Sequence, residues 1–458
     1  MRPIAALALL AIVVSGCASP ATVTASASPS AAASATASPA ADTEWPTYHR
    51  DNARTGTGAA GPPFTSVDMA WQSGTVDGDV YAAPIIAGGS VIVATERNSV
   101  YAFDARSGAT QWRATLGPPV DASTLPCGNI RPVTGITGTP VADPAAGLVY
   151  VVAFEQPAHH ELYALDLASG AVRAHRTVDG PGSDPQVHQE RAALTLANGF
   201  VYVAFGGLAG DCGQYHGWVV GARAGSLSGD LVSYQVPSPR EAGIWAPSGL
   251  AVDVDGRLFV AIGNGADAPT YSFSNAVVRL SPELRVEDWW APSDWQSLDR
   301  TDSDIGSIGP TLLPGAIVVA AGKSGTLYTL RAADLGHTGA EIAKERVCAG
   351  VYGGFAFAAG VLYVPCTDGP AAVQVGTDGA LRSLWRGPRA ASGPPIVVAG
   401  AVWAVDPAAG TVYALDPASG QVRVQRQLGA MQHFTTLAAF GTEILVAAGG
   451  RLVALLPR

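Results

Sequence analysis

The chain has 458 residues, with 27 Lys and Arg against 37 Asp and Glu, and its formal net charge is −10. This negative balance argues against nucleic acid as a partner and against membrane binding through a polybasic surface. Charged residues make up only 14% of the chain, so much of its surface must consist of Gly, Ser, Thr and Ala.

Residues 1–17 have the pattern of a bacterial lipoprotein signal peptide. Arg2 supplies a positive start, and the apolar run 4–14 has the length of a signal core but is too short to span a bilayer. The tetrapeptide 14–17, Val-Ser-Gly-Cys, then resembles a lipobox, in which small residues precede the lipidated cysteine. We therefore predict export, lipidation of Cys17 and a stable anchor on the extracytoplasmic side of the cell membrane. The alternative is an ordinary signal peptide with an incidental cysteine.

Residues 18–43 consist almost entirely of Ser, Ala, Thr and Pro and have no apolar periodicity. Such a segment cannot bury a core, so we predict a disordered tether. From Trp45 onward the composition shifts to Gly, Val and Ala, and we assign residues 44–458 to one large β domain. No later segment reaches about 18 uninterrupted apolar residues, so none is predicted to span a membrane.

Four cysteines remain beyond the lipobox: Cys127, Cys212, Cys348 and Cys366. An even number in an exported chain predicts two disulfides, and the cysteines are too dispersed for a zinc site. Cys348 and Cys366 flank two predicted strands, 351–357 and 361–364, joined by a turn at Ala359-Gly360. An antiparallel hairpin brings its two ends together, so we expect these cysteines to pair. The other two then pair mainly by elimination.

A nine-residue pattern, aliphatic-Tyr-Ala-apolar-Asp-x-x-Ser-Gly, occurs at 100–108, 162–170 and 412–420. Six steps of about 52 residues separate the first copy from the last, which is the spacing of a repeat architecture. Degenerate copies fill the gaps and follow the last full copy, which makes eight in total: Trp218–Gly221, Val277–Leu280, Thr326–Leu330, Ala372–Val375 and Leu452–Leu455.

Each copy follows a predicted β-hairpin, such as 84–93 with its turn at Gly88-Gly89. Within the pattern, the Asp104 side chain can accept N–H bonds of a turn, and Gly108 permits a positive φ. The unit is therefore three strands, an Asp-x-x-Ser-Gly turn and a fourth strand. Eight such units predict an all-β, eight-bladed propeller of four-stranded blades.

The eighth copy has no fourth strand after it. Met69-Ala70-Trp71-Gln72 resembles the fourth strand of the first unit, Thr110-Gln111-Trp112-Arg113. We therefore predict that residues 68–75 complete the last blade and close the ring.

The spacing from Ala102 through Asp104 and Gly108 to Trp112 is similar to the tryptophan-docking motif of the quinoprotein-like (PQQ-like repeat) β-propellers. The segment 45–56 also resembles the start of many of these domains. The resemblance covers residues 45–458 and implies two possible classes. One comprises dehydrogenases that hold pyrroloquinoline quinone (PQQ) and Ca²⁺ on the propeller axis. The other comprises non-catalytic propellers, such as the BamB-like lipoproteins of outer-membrane barrel assembly, which bind proteins.

Four residues are the candidates for dehydrogenase chemistry. Gly263-Asn264-Gly265 resembles the segment whose Asn binds Ca²⁺ and cofactor, and Asp302 and Asp304 lie in a stretch that resembles the one carrying the catalytic base. Glu190 is the candidate for a second carboxylate ligand. Carboxylate and amide oxygens suit Ca²⁺, and an Asp beside a quinone can accept an alcohol proton. The alternative is that Asn264 lies in a strand-end turn and the two Asp residues cap another.

The sequence departs from the dehydrogenases because it has no adjacent Cys-Cys pair, and Ala174 and Val424 replace the docking tryptophan in two full repeats. We therefore predict a non-catalytic, cofactor-free scaffold that binds a protein partner in the cell envelope. The alternatives are a dehydrogenase using PQQ and Ca²⁺, and a propeller that binds a small ligand or cell-wall glycan on its axis.

Overall fold

The computed structural model describes residues 43–266 and 270–458. These residues belong to one unit, Ala40–Arg458. The predicted signal peptide, the lipidation of Cys17 and the tether up to residue 42 lie outside the described residues and stay predictions. Within the described ranges, no helix has the length and apolar character that crossing a membrane requires.

Short strands account for nearly all of the regular structure. Up to residue 235 they are β1 (Val67–Gln72), β2 (Ile85–Ala87), β3 (Ser90–Ala94), β4 (Ser99–Asp104), β5 (Thr110–Thr115), β6 (Val120–Asp121), β7 (Val133–Thr134), β8 (Val141–Asp143), β9 (Leu148–Glu155), β10 (His159–Asp166), β11 (Val172–Thr177), β12 (His188–Gln189), β13 (Thr195–Ala197), β14 (Phe200–Gly207), β15 (Trp218–Arg223) and β16 (Val232–Gln235).

The second half continues the pattern. Its strands are β17 (Ala251–Val252), β18 (Leu258–Ala261), β19 (Val277–Leu280), β20 (Val286–Ala291), β21 (Thr311–Leu313), β22 (Ile317–Ala321), β23 (Thr326–Arg331), β24 (His337–Thr338), β25 (Ala343–Arg346), β26 (Ala356–Ala358), β27 (Val361–Val364), β28 (Ala371–Val375), β29 (Leu381–Arg386), β30 (Ile396–Val398), β31 (Ala401–Asp406), β32 (Thr411–Leu415), β33 (Val422–Gln427), β34 (Ala438–Phe440), β35 (Glu443–Ala448) and β36 (Arg451–Pro457). Within residues 43–266 and 270–458, the helices are α1 (Trp295–Arg300) and two 3₁₀ turns, Ala122–Thr124 and Pro185–Val187.

The strands form eight antiparallel blades, which confirms the predicted propeller. The blades, each ordered from its first to its fourth strand, are β2–β5, β8–β11, β13–β16, β17–β20, β21 to β23 with β25, β26–β29, β30–β33, and β34–β36 with β1. All eight copies of the sequence pattern supply the third strand of a blade, because the pattern pairs a buried strand with the turn that follows it.

Burial differs between the strands of a blade. β3 is buried at every position, whereas β11 and β33 contain no fully buried residue. Inner strands are covered by neighbouring blades on both faces, so they are almost wholly apolar. The fourth strands lie at the rim and carry Arg side chains, a composition that protects an exposed sheet edge from pairing with another chain.

The ring is closed by the N-terminal strand, as predicted. β1 pairs antiparallel with β36, so the eighth blade combines both ends of the propeller domain. The pairing runs from Val67 opposite Pro457 to Gln72 opposite Val453, with an irregularity between Met69 and Trp71.

The docking tryptophans connect neighbouring blades. Trp112 of the first blade donates its indole N–H to the Leu167 carbonyl of the second at 3.0 Å, and its ring lies against Gly170. The other two such pairs are Trp71 on Gly108 and Trp385 on Gly420. Val424 occupies the docking position of the seventh blade, and the eighth blade offers no turn for it to contact, because its third and fourth strands come from opposite ends of the domain.

Residues 45–59, which we call the N-terminal plug, close one end of the axis. Backbone bonds join it to the first strand of six blades, among them Trp45 to Ile86 at 2.9 Å and the Thr55 carbonyl to Phe357 N–H at 2.7 Å. Arg54 is fully buried and donates to the Leu250 carbonyl at 2.9 Å. The sequence resemblance marked this segment but did not reveal that it contacts blades all around the ring.

Both predicted disulfides are present: Cys127–Cys212 and Cys348–Cys366. The hairpin between the second pair turns at Ala359-Gly360 as expected. Its first strand, β26, is shorter than the predicted 351–357, because Val351 forms only an isolated bridge with Cys366.

Candidate functional site

A cavity of about 350 Å³ opens at the end of the propeller opposite the N-terminal plug. Its walls come from the connections of blades on all sides of the ring, so it lies on the axis, and we call it the axial cavity. Arg191 and Phe434 line both this cavity and a smaller space that reaches Tyr48 of the plug. The cavity is therefore closed from below and open at the other face.

Alternating connections of antiparallel strands lie at opposite ends of a blade, and this explains which residues reach the cavity. Those that follow a second strand contribute Asn264 and Lys323, and those that lead into a first strand contribute Trp245 and Tyr352. The tight turns between first and second strands lie at the plug side. The Asp-x-x-Ser-Gly turns lie there too and contribute nothing to the cavity.

Lys323 is the charged centre of the wall. Its ammonium nitrogen lies 2.7 Å from Asp304 and 2.5 Å from Asp302. Asp304 is fully buried, and its carboxylate lies directly against Gly263. Burial raises the pKa of Asp304, and Lys323 opposes that rise. Partial burial disfavours the charge on Lys323, but the two carboxylates outweigh it and raise the pKa of the ammonium.

Asn264 is held by its backbone. Its carbonyl accepts the Ala242 N–H at 2.8 Å, and the N–H of Gly265 donates to Asp299 at 2.8 Å. Asp299 also accepts from the Asn275 side chain at 2.7 Å, so α1 fixes the loop that carries Asn264. The Asn264 side chain itself lines the axial cavity.

Glu190 does not line the axial cavity. Its carboxylate is buried against Gly138, whose backbone N–H it accepts, and burial raises its pKa well above the usual value. Glu96 is a second buried carboxylate nearby and accepts from Gly135 N–H at 2.6 Å and Thr137 Oγ1 at 2.8 Å. Burial raises the pKa of Glu96 to about 7. These two acids therefore belong to the interior beside Arg191.

The residues that the resemblance assigns to Ca²⁺ do not form one donor set. Asp304 lies against Gly263, the neighbour of Asn264, but Lys323 already occupies the position between Asp302 and Asp304 that a cation would take. Glu190 contacts Gly138 instead. In the described ranges, one group of His, Cys, Asp or Glu atoms is compact enough for a metal: Cys348, Cys366 and Asp368. Its two cysteines are joined in a disulfide.

Aromatic side chains form the other wall. Trp245 and Tyr352 have ring centroids 6.3 Å apart at an interplanar angle of 51°. Phe434 continues the row, 6.2 Å from Tyr352 at 36°. Lys323 lies over the Trp245 ring at 5.3 Å and Arg191 over the Phe434 ring at 5.2 Å. The cavity therefore combines tilted aromatic rings with cations that already have partners.

The mouth of the cavity is fastened by a disulfide. Asn129 and Asp211 line the cavity and lie two residues after Cys127 and one before Cys212. Asp211 accepts the Tyr215 hydroxyl at 2.6 Å. The bridge thus connects the loop before the second blade to a loop of the third.

Sequence reasoning missed Lys323, Trp245 and Arg191. Lys323 follows a strand in the pattern Ala-Gly-Lys-Ser-Gly, which resembles an ordinary turn, and its partners Asp302 and Asp304 come from a separate connection. Trp245 has none of the repeat's spacing around it. Their positions could have revealed them, because Lys323 and Trp245 lie in connections at the same end of their blades as Asn264.

Comparison with known proteins identifies one family. A profile described as outer membrane protein assembly factor BamB matches residues 68–215 and 329–458. A search of curated proteins gave no match.

Solved structures show the same fold at low identity. The quinohemoprotein alcohol dehydrogenase of Pseudomonas putida has 14% identity and a TM-score of 0.69, over 90% of this chain and 80% of that one. The quinohemoprotein alcohol dehydrogenase of Comamonas testosteroni has 16% identity and a TM-score of 0.68, again over 90% of this chain and 80% of that one. BamB from Moraxella catarrhalis has 17% identity and 0.58, over 86% of this chain and 99% of that one. At such low identities, the similarity to these structures shows only that the fold is shared.

Proposed function

Because this chain belongs to the family of the outer membrane protein assembly factor BamB, we propose that it is a non-catalytic propeller that binds a protein partner in the cell envelope. One observation supports the absence of catalysis above the others. Asp304, the buried carboxylate of the candidate site, is paired with Lys323 at 2.7 Å, and this ion pair gives the carboxylate a structural role in the wall of the cavity.

The proposed docking face is the one that carries the axial cavity. Its connections are long, such as 208–217, 236–250 and 292–310, whereas the opposite face carries tight turns and the plug. Ordered loops on a rigid scaffold are where binding surfaces usually lie. The Cys127–Cys212 bridge and the contacts of Asp299 fix these loops in the free protein.

Site-specific photo-crosslinking tests this assignment. A photo-reactive amino acid in place of His433, which is exposed at the cavity mouth, should give an adduct of defined mass in intact cells. The matched control is the same replacement of Val254, which is fully exposed in a turn on the opposite face. Adducts at Val254 alone, or equal adducts at both positions, would contradict a partner at the cavity face.

A quinoprotein-like dehydrogenase is the second candidate function. The observation that favours it is that Asn264, Lys323 and Trp245 line one cavity with Asp304 directly behind. Calorimetry with PQQ and Ca²⁺, combined with an assay for dye-linked alcohol oxidation, separates the two candidates. Submicromolar binding with oxidation that Asn264→Ala abolishes would establish the dehydrogenase and overturn the scaffold.

A further inference from the structure

We infer that the axial cavity is a binding site for a neutral sugar. This goes beyond the proposed function, since it concerns a small ligand on the axis rather than a protein on the surrounding loops. Four properties of the cavity carry the inference: its hydrogen-bonding groups, its charge balance, the arrangement of its rings and its preformed shape.

The first property is a set of neutral polar groups without partners. Asn129, Trp245, Asn264 and Tyr352 line the cavity, and within the described chain none of these side chains makes a hydrogen bond. A carboxamide offers both a donor and an acceptor, and a phenol does the same through one oxygen. Adjacent sugar hydroxyls are likewise both donors and acceptors, so two amides from different loops suit them. A ligand that only accepts or only donates would leave half of each amide unsatisfied.

The second property is charge balance. The cations at the cavity are Lys323 and Arg191, and Lys323 is already paired with both Asp302 and Asp304. Arg191 donates to Gln189 at 3.3 Å and lies close to Glu96. The remaining lining acid is Asp211 at the mouth. Three acids, Asp302, Asp304 and Asp211, thus stand against two cations at the cavity, a balance that does not favour a phosphate or a polycarboxylate. A neutral ligand therefore costs least to desolvate there.

The third property is the arrangement of the rings. Trp245, Tyr352 and Phe434 are tilted by 51° and 36° from one to the next, so they curve around the cavity instead of forming a parallel slot. Parallel rings suit a flat aromatic ligand, which stacks face to face at an offset. A curved wall of apolar ring surface suits a puckered pyranose, which presents C–H groups on its faces and hydroxyls at its edge.

The fourth property is that the site is preformed. Its volume of about 350 Å³ lies at the lower end of the range for small-molecule sites, about 300 to 1,000 Å³, and leaves room for one or two sugar rings. The plug closes its floor, and the Cys127–Cys212 bridge joins two of its loops. Binding therefore needs little ordering of the protein, which favours affinity for a small ligand.

The test is a titration of the full chain in detergent, in which binding is measured by tryptophan fluorescence and by calorimetry. The probes are glucose, galactose, N-acetylglucosamine and their disaccharides, with PQQ plus Ca²⁺ as the planar, anionic comparison. At least one sugar should give saturable binding, and Asn264→Ala should weaken it about tenfold or more. Gln296→Ala, at an exposed amide on α1, is the matched control and should leave the affinity unchanged.

Three outcomes would overturn the inference. They are the absence of saturable binding by every sugar, sugar binding that Asn264→Ala and Trp245→Ala leave intact, and PQQ binding that the same variants abolish while no sugar binds. Thermal melting of each variant shows whether it is folded. If either Asn264→Ala or Trp245→Ala is unfolded, sugar binding by the other variant tests the inference. Partner crosslinking at the His433 position is scored separately, so this inference and the proposed scaffold function can fail independently.

Discussion

Lys323 places its ammonium nitrogen 2.7 Å from the carboxylate of Asp304, which has no exposed surface. A carboxylate in that position costs several kcal/mol to desolvate, roughly the energy that a well-placed ion pair returns. Asp302, on the exposed side of the same ammonium, completes a triad with one cation and two anions. The Lys323–Asp304 pair therefore stabilises the wall of the axial cavity. Removing the pair should change the free energy of unfolding by a measurable amount.

Lys323→Met should lower the free energy of unfolding by about 3 kcal/mol at neutral pH, since it leaves Asp304 buried without a counter-charge. Urea denaturation of the purified chain measures this. The double variant Lys323→Met/Asp304→Asn should recover most of the loss. Lys344→Met removes a lysine from an exposed pair with Glu341 and should cost about 1 kcal/mol or less. Equal losses in the two lysine variants would show that burial of Asp304 is unimportant.

Gly170→Ala should destabilise the protein by more than backbone strain alone. The new methyl would lie 2.4 Å from the Trp112 ring at a residue whose φ is +71°. Gly199→Ala is the matched control, because Gly199 has φ +73° and no atom within 4 Å of the added carbon. We expect about 1 kcal/mol for Gly199→Ala and at least about 2 kcal/mol more for Gly170→Ala. Equal thermal midpoints for the two variants would rule out a tight contact between the blades.

The repeat was predictable because its signal is local. Asp104 accepts the Ser107 N–H at 2.9 Å and Gly108 has φ +69°, so the turn is determined within nine residues. The three full copies could thus be placed in the sequence, and their spacing of about 52 residues located the five degenerate ones. The spacing to Trp112 identified the docking tryptophan but not its partner, which is Gly170 of the next blade. That contact depends on how blades pack, which the spacing within one repeat does not encode.

The candidate site was predictable only in part, for the same physical reason. Asn264 and Asp304 were named from the sequence as candidate site residues, and both lie beside the axial cavity. Lys323 was missed because its ion pair is made between two connections of the fifth blade, which meet only when that blade folds. Glu190 was named as the candidate for a second carboxylate ligand, and its side chain turns toward Gly138. Glu190 lies in the connection between β12 and β13, and the repeat pattern does not determine the direction of a side chain in such a connection.

Stability should depend on pH through Glu96, whose pKa is raised by burial from 4.5 to about 7. Between those values the folded state retains a proton that the unfolded state has lost, so stability should fall as the pH rises through this window. The change is up to about 3 kcal/mol, from about 1.4 kcal/mol per pKa unit. Glu96→Gln should flatten the pH dependence of the melting temperature, and Asp230→Asn, at an exposed acid, should not. Identical profiles for wild type and Glu96→Gln would contradict this. Glu190, whose pKa is raised in the same direction, would then have to account for any slope that remains.

Stepwise truncation should separate the plug from ring closure. Removing residues 44–66 deletes the plug but keeps β1, whereas removing residues 44–76 also opens the eighth blade, where β1 pairs with β36. Both truncations should lower the calorimetric melting temperature, and the longer one should lower it sharply, because β35 and β36 lose their fourth strand. A thermal midpoint unchanged by the longer truncation would contradict the closure of the ring by β1.

Cys17→Ala should abolish lipid labelling and move the protein from the membrane to the soluble extracytoplasmic fraction, because the thiol is the proposed site of the diacylglycerol. Two or more acyl chains hold a protein firmly at a bilayer, whereas the propeller itself has no predicted spanning segment. Ser15→Ala, which keeps a small residue before the cysteine, is the matched control and should remain labelled and membrane-bound. Radiolabelled palmitate and fractionation of cells measure both outcomes. If Cys17→Ala stayed in the membrane fraction without lipid, lipidation would not be what holds the protein at the membrane.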